Sequence, residues 1–368
     1  MYSDIMKPFA SGEAAEGPPV ALFMDEQSMT PEIRTILACV TPTFWKRITA
    51  IILLGDHEQL PVLLLSKNFN EHAGQGELST YERKMKAGFE AATLNENMRM
   101  HPRVLAYPNR KKYDGNLQAT EEAATRQFHH VYAKLMCAYL GEDDPANIHV
   151  YAVDIAEAET FTSVYSKSRS NLHTAHEIAN LVMMLRCSLE PSDFSLADNI
   201  VILAGHKDQV RTIIRVLADK VRTHNIIEKD KTKRFKRAEF PDVTTIDDFQ
   251  GKDKMIVFWD HVISHAEKSS DVGFLKEDRR VNVAATRAKL QLIMFTRIDM
   301  LFEPFFAYQA GKVIDWDTGE QVLKEKFYLS EYLEEILKKE LYVSKQVNIT
   351  IEEISQHQSW VGTGVAGW

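Results

Sequence analysis

Apolar positions along the chain fall into two alternating patterns. Short, nearly continuous apolar runs at Val20 to Met24, Ile48 to Leu54, Ile148 to Val153, Ile200 to Ala204, Val243 to Ile246, Met255 to Trp259 and Leu290 to Phe295 predict strands, buried ones where the run is unbroken. Between them, apolar residues recur every three or four positions and predict helices over Ser79 to Phe89, Ala123 to Leu140, Asn171 to Leu189, Gly205 to Val221 and Val281 to Ala288. Alternation of the two implies an α/β fold with parallel sheets flanked by helices. In open sheets of that kind, ligands meet the C-terminal ends of the strands. Val20 to Met24 runs into Asp25-Glu26, and Ile48 to Leu54 into Gly55-Asp56-His57-Glu58-Gln59. Val243 to Ile246 runs into Asp247-Asp248, followed by Gln250-Gly251, where glycine lets the backbone turn closely. Taken alone, an acidic pair ahead of Thr30-Pro31 reads equally well as the start of a helix.

Composition narrows the class. At 368 residues and 45% hydrophobic, the chain can bury a core of one large or two ordinary domains. No apolar run approaches the roughly 20 residues of a membrane span, and MYSDIMKPFASGEAAEGPP lacks the apolar centre of a secretory signal, so a cytoplasmic or nuclear protein is expected. Cys39, Cys137 and Cys187 are too far apart for a zinc site or a disulfide framework and read as reduced, buried thiols. The pairs His173/His176 and His261/His265 have no third ligand in the pattern and read as surface histidines. A net charge of −8 confines any nucleic-acid contact to a local patch. Residues 228–240 hold one, with Lys229, Lys231, Lys233, Arg234, Lys236 and Arg237 around Phe235, a residue able to stack on a base; a solvated loop explains the same run.

The order of the motifs is more specific than any one of them. TIDDFQGKD and VNVAATRAK, at Thr245 to Asp253 and Val281 to Lys289, resemble the fifth and sixth motifs of superfamily 1 helicases in the branch typified by the up-frameshift RNA helicase and senataxin. LFMDEQS at Leu22 to Ser28, ILLGDHEQLPV at Ile52 to Val62 and LNENMRMHP at Leu94 to Pro102 resemble the second, third and fourth, in the family's order, as does the stretch from His101 to Leu117. The resemblance implies a RecA-like P-loop NTPase fold, ATP with Mg²⁺, and single-stranded RNA or DNA as partner, with other protein factors possible and no membrane. It further implies that Asp25 binds Mg²⁺, Glu26 orients or deprotonates the attacking water, and Gln59 senses the γ-phosphate. Asp56 couples that sensing to the nucleic-acid path. Arg99 and Arg287 reach the γ-phosphate as arginine fingers, Gln209, Gly251 and Asp253 lie against the nucleotide, and Thr245 lies on the nucleic-acid path, with Lys233 and Arg234 as further contacts.

The chain departs from the family at several positions. Asp253 replaces the usual Glu, Met98 the usual Tyr and Gln27 the usual Ala, and Gly205-His206-Lys207 lacks the usual aromatic ahead of Gln209. No GxxxxGK[ST] run occurs in the 368 residues, and the 24 that precede Asp25 are fewer than the ~30 of a strand, loop and helix that would carry one. The expected organisation is a disordered head (1–18), the C-terminal part of a first RecA-like domain (19–92), a complete second one (93–302) and a tail of unassigned role (303–368). This is the C-terminal helicase region, inactive alone without a phosphate cradle. The alternative is a non-catalytic module that binds nucleic acid or a partner.

Overall fold

The computed structural model describes residues 18–39, 45–64, 70–307, 312–314, 321–323 and 327–360. The head before residue 18 and the Gly-rich end after 360 lie outside them. The described residues form two compact units, divided between Leu94 and Asn95.

In the first unit, β1 (Val20–Met24) is followed by α1 (Glu32–Cys39), β2 (Ile48–Leu53) and α2 (Thr80–Lys86). The two strands pair in parallel, Leu22 beside Ile51 and Met24 beside Leu53. α2 starts one residue later than its pattern predicts, because Ser79 Oγ accepts from the Glu82 amide and caps it, and it stops three residues earlier, at Lys86. Phe23 in β1 is 68% exposed and Ile51 in β2 46%, so these strands are not buried on both faces as expected, and Ile33 (60%) and Leu37 (59%) of α1 are exposed as well. At about 25 cal/mol per Å², each few hundred Å² of such surface forgoes several kcal/mol. Backbone amides of β1 and β2 are therefore expected to exchange hydrogen well ahead of those at 254–296, and equal protection of the two stretches would refute this difference in stability.

The second unit holds α3 (Pro102–Lys112), α4 (Glu121–Ala124), α5 (His130–Leu140), β3 (Val150–Asp154), β4 (Thr160–Thr162), β5 (Arg169–Asn171), α6 (Leu172–Ser188), β6 (Ile200–Ala204), α7 (Lys207–Ile227), β7 (Asp242–Thr245), β8 (Lys254–Asp260), α8 (Asp278–Ala285), β9 (Ala288–Thr296), α9 (Tyr328–Lys338), β10 (Tyr342–Ser344) and α10 (Ile351–Trp360). Six strands make one wholly parallel sheet in the order β10-β3-β9-β8-β6-β7. Strand side chains alternate between faces. Ile202, Phe258, Ile293 and Val153 meet α5, α6 and α7 on one face, while Leu203, Trp259 and Met294 are equally buried on the other, where α3 packs on β9 and α8 packs on α3. Both faces are covered, the arrangement that near-continuous apolar strands require, and the architecture is the RecA-like α/β sheet.

Several expectations change. The helix over 123–140 is two helices: at 125–129 the chain leaves the helical path, and Arg126 donates to the carbonyls of Met98 and Arg99. α7 runs six residues further than expected. α8 ends at Ala285, so Arg287 and Lys289 lie beyond it and β9 begins at Ala288. The strand at 243 is an edge strand, half-buried. His173 and His261 are buried rather than on the surface, with His261 edge-on to the Trp259 ring at 4.4 Å, whereas His265 is exposed. No cluster among the described residues fits a metal ion. Cys137 is buried, Cys39 half-buried and Cys187 exposed, so only one thiol follows expectation.

The described residues from 327 to 344 complete the second unit. Tyr328, Leu329, Tyr332, Leu333 and Ile336 are each at most 3% exposed on one face of α9, with Tyr332 stacked on Tyr107 at 4.0 Å. β10 then adds a parallel strand to β3. No helix among the described residues is long and apolar enough to cross a membrane.

Candidate functional site

The first unit gathers four of the expected residues at one sheet edge. Because β1 and β2 are parallel, Asp25-Glu26 and Asp56 to Gln59 leave their C-terminal ends together, tied by Leu54 N to Met24 O (2.8 Å) and Gln27 N to Leu54 O (2.9 Å). Gly55 is needed there, since a Cβ would lie 3.0 Å from the Ser28 nitrogen. Asp25 is exposed, and its Oδ1 accepts from the Glu26 amide at 2.9 Å. Glu26 has φ +52°, a left-handed conformation uncommon for Glu; such strain costs about 1 kcal/mol or more and concentrates at functional sites. Gln59 Nε2 donates to Asp56 Oδ2 at 2.7 Å, so these two residues are in direct contact. Burial and then the Asp56 carboxylate push the Tyr81 phenol up.

The second unit brings the fourth, fifth and sixth motifs together where β8 and β9 begin. Asp253, one residue before β8, pairs with Arg99 Nε at 3.2 Å and with Lys289 Nζ at 2.7 Å. Arg99 Nη1 also reaches the Thr286 carbonyl at 3.4 Å, across 187 positions of sequence. Burial pushes the Asp253 carboxyl up, but Lys289 and Arg99 outweigh it and hold the group below its ordinary range. Arg287 is 1% exposed and donates to the carbonyls of Val283 (3.0 Å) and Lys252 (3.4 Å) and to Thr286 Oγ1 (3.2 Å). Gly251 turns the chain into this cluster at φ +76°, a value that Gly adopts without strain. Lys289 and Arg126 were missing from the expected set. Lys289 lies in β9, just past the end of the sixth motif's helix, and nothing in the spacing links Arg126 to Arg99.

At the opposite edge, where β6, β7 and β8 end, Gln209 is fully buried and engaged within the protein. It accepts from the Asn171 amide (2.6 Å) and donates to Asn171 O (3.0 Å), Thr174 Oγ1 (3.1 Å) and Asp260 Oδ2 (2.5 Å). Burial pushes the Asp260 carboxyl up to about 6, against the hydrogen bonds from Gln209, Thr174 and the Val262 amide. The Val262 amide bond, 2.8 Å to Asp260 Oδ1, pins a γ-turn closed by Ile263 N to His261 O (2.7 Å) with Val262 at φ +68°, a strained geometry for a β-branched residue. Thr245 ends β7 at this edge, with its hydroxyl on Asp248 Oδ2 at 2.6 Å. Arg280 holds Asp247 with two bonds, of 2.8 and 3.1 Å, and its guanidinium lies 4.4 Å from the Phe274 ring centre. Phe274 in turn lies 5.0 Å from the His206 ring, so an aromatic from another segment flanks the turn that lacks one in sequence.

Lys233 and Arg234 are not brought together with Thr245. They precede β7, whereas Thr245 closes it, and Phe235 is 8% exposed, clamped between the His224 ring (4.0 Å, 7° between planes) and the Arg186 guanidinium (4.4 Å). It has no face for a base.

Residues 77–299 match the AAA domain family. The chain is 26% identical over 284 residues to the probable helicase MAGATAMA 3 of Arabidopsis thaliana, aligning 74% of this chain and 30% of that protein. It is 28% identical over 271 residues to the DNA replication ATP-dependent helicase/nuclease DNA2 of Homo sapiens (70% and 23%) and 26% identical over 257 residues to helicase sen1 of Schizosaccharomyces pombe (68% and 13%). It thus spans at most a third of the length of these three relatives. The shared motifs, the parallel sheet and this match together place the chain in the AAA domain family, in the superfamily 1 helicase branch typified by the up-frameshift helicase and senataxin.

Proposed function

We propose that this chain belongs to a nucleoside-triphosphate-driven motor that moves along or unwinds single-stranded RNA or DNA. The observation that carries the reading is the convergence of Arg99, Asp253, Arg287 and Lys289, drawn from three distant motifs, at one end of one sheet. Two arginines held by carbonyls and one carboxylate form a cationic cluster suited to stabilising charge that develops on a transferring phosphoryl group. Glu26 is the proposed water-orienting base, and Gln59 with Asp56 the pair that links the γ-phosphate to the nucleic-acid path. Asp25 offers the hard carboxylate oxygen that Mg²⁺ prefers. When bound, Mg²⁺ neutralises phosphate charge. Asp253 acts through Arg99, and Gln209 positions the edge carrying Thr245 rather than touching nucleotide.

The 368 residues contain no glycine-rich phosphate loop. Turnover on this reading needs backbone amides and a lysine supplied by other residues. A binding module that keeps the fold without turnover is the second reading, favoured by the lack of a phosphate loop among the 368 residues.

Binding of a labelled single-stranded RNA or DNA tests the nucleic-acid part of the proposal. Affinity is expected to be weak and to fall with salt, log affinity against log salt having a slope of about −0.7 per phosphate contacted. A flat salt profile, or no binding at low salt, overturns it.

A further inference from the structure

We propose that the groove between the last two turns of α7 and the basic segment 228–240 docks an acidic, amphipathic peptide of a protein partner. The groove measures about 460 Å³. Its floor is apolar, from Ala218 and Val221, with Ile226 on the rim, and its cations are Arg222, Arg234 and Arg237. Residues 228–240 carry six basic side chains against three acidic ones, a local excess of three positive charges in a chain of net −8. The acidic side chains are engaged locally: Glu228 with the Asp230 amide (2.8 Å), Asp230 with Thr232 (2.9 and 2.7 Å) and Glu239 with Arg186 (2.9 Å). Lys231, Lys233 and Lys236 are exposed.

Two observations favour a peptide over nucleic acid. The aromatics of the segment, Phe235 and Phe240, are 8% and 1% exposed, so no stacking surface is offered to bases. The exposed apolar group of the groove is aliphatic instead: Ile226 is 75% exposed. An aliphatic rim residue over an apolar floor, with Arg222, Arg234 and Arg237 beside it, suits a helix with Leu-type residues on one face and carboxylates around it. The wall is also preformed. Asn225 grips Phe235 with two bonds, its Nδ2 donating to Phe235 O (3.0 Å) and its Oδ1 accepting from Phe235 N (2.8 Å), so little ordering cost falls on binding.

The test uses the full chain and three fluorescent probes: an 18-residue helical peptide with Leu on one face and Glu or Asp elsewhere, a polyglutamate of equal length, and an oligo-dT of equal length. The amphipathic peptide is expected to bind about tenfold or more tighter than polyglutamate, and to lose about tenfold on Ile226→Asp and again on Lys233→Glu/Lys236→Glu. Ile226, Lys233 and Lys236 are exposed, so these variants should fold as the parent does, checked by their melting temperatures. Oligo-dT affinity is expected to change less than threefold in both. The proposal is overturned if the peptide binds no tighter than polyglutamate, if Ile226→Asp leaves peptide binding unchanged, or if the lysine variant weakens oligo-dT as much as it weakens the peptide, which would make the face a nucleic-acid contact.

Discussion

Replacing Arg287 or Arg99 by alanine is expected to cut ATP turnover by about three orders of magnitude in a form supplied with the phosphate-binding segment of a relative, while nucleotide affinity changes less than tenfold. Charge on the γ-phosphoryl oxygens grows toward the transition state, so a guanidinium aimed at it matters more to kcat than to binding. The two positions should also differ. Arg99 is about one-third exposed and pairs with Asp253, so its loss should leave stability nearly intact. Arg287 is buried, and its loss leaves the carbonyls of Val283 and Lys252 short of a donor, so stability should fall by about 1–3 kcal/mol. Specific activity of the folded fraction separates chemistry from folding. Unchanged specific activity would assign Arg287 a purely structural role, and equal losses of binding and turnover would make both arginines ground-state ligands.

The protein is expected to unfold on mild acidification. Burial pushes the rings of His149, His176, His206 and His357 down from 6.5 to about 4, and that of His261 to about 3. With folded values below unfolded ones, the unfolded chain takes up protons first. The stability these groups contribute is present above pH 6.5 and is lost as pH falls toward 4. Asp260, raised to about 6, works in the opposite sense and gains between pH 6 and 4, but it is one group against five. A shift of this size corresponds to roughly 3 kcal/mol per histidine at full effect, and a third of that over five residues is about 5 kcal/mol, comparable with the whole net stability of a domain. Melting temperature is expected to drop by roughly 10–20 °C between pH 7.5 and 4.5, and His261→Phe to flatten part of the slope. A melting temperature independent of pH over this range would mean these histidines titrate normally.

What was legible in the chain depended on the range of the interactions involved. Strands such as Ile200–Ala204 and Met255–Trp259 are short apolar runs buried on both faces, and their own residues specify them. The acidic pair at a strand end and the Gly251 turn are local in the same way. The break at 125–129 is not, because it carries no Gly or Pro and coincides with Arg126 bonding to carbonyls 27 and 28 positions earlier. Nor is the triad around Asp253, whose members lie in three segments. Burial of His261 was missed because a histidine in a polar-looking loop reads as exposed by default, yet this one is held under Trp259 by the strained turn at Val262. The α9 pattern, apolar at 328, 329, 332, 333 and 336, was visible but hidden by the charged residues around it.

Steady-state ATP hydrolysis, with and without single-stranded nucleic acid, tests the central reading most directly. It should be measured on the 368-residue chain, on the form carrying an added phosphate-binding segment, and on that form with Glu26→Gln. The expected result is no turnover from the chain alone, nucleic-acid-stimulated turnover once the segment is added, and its loss in the Glu26→Gln variant. Helicase-like turnover by the 368 residues themselves, or turnover in the supplemented form that survives Glu26→Gln, would contradict the assignment of this site.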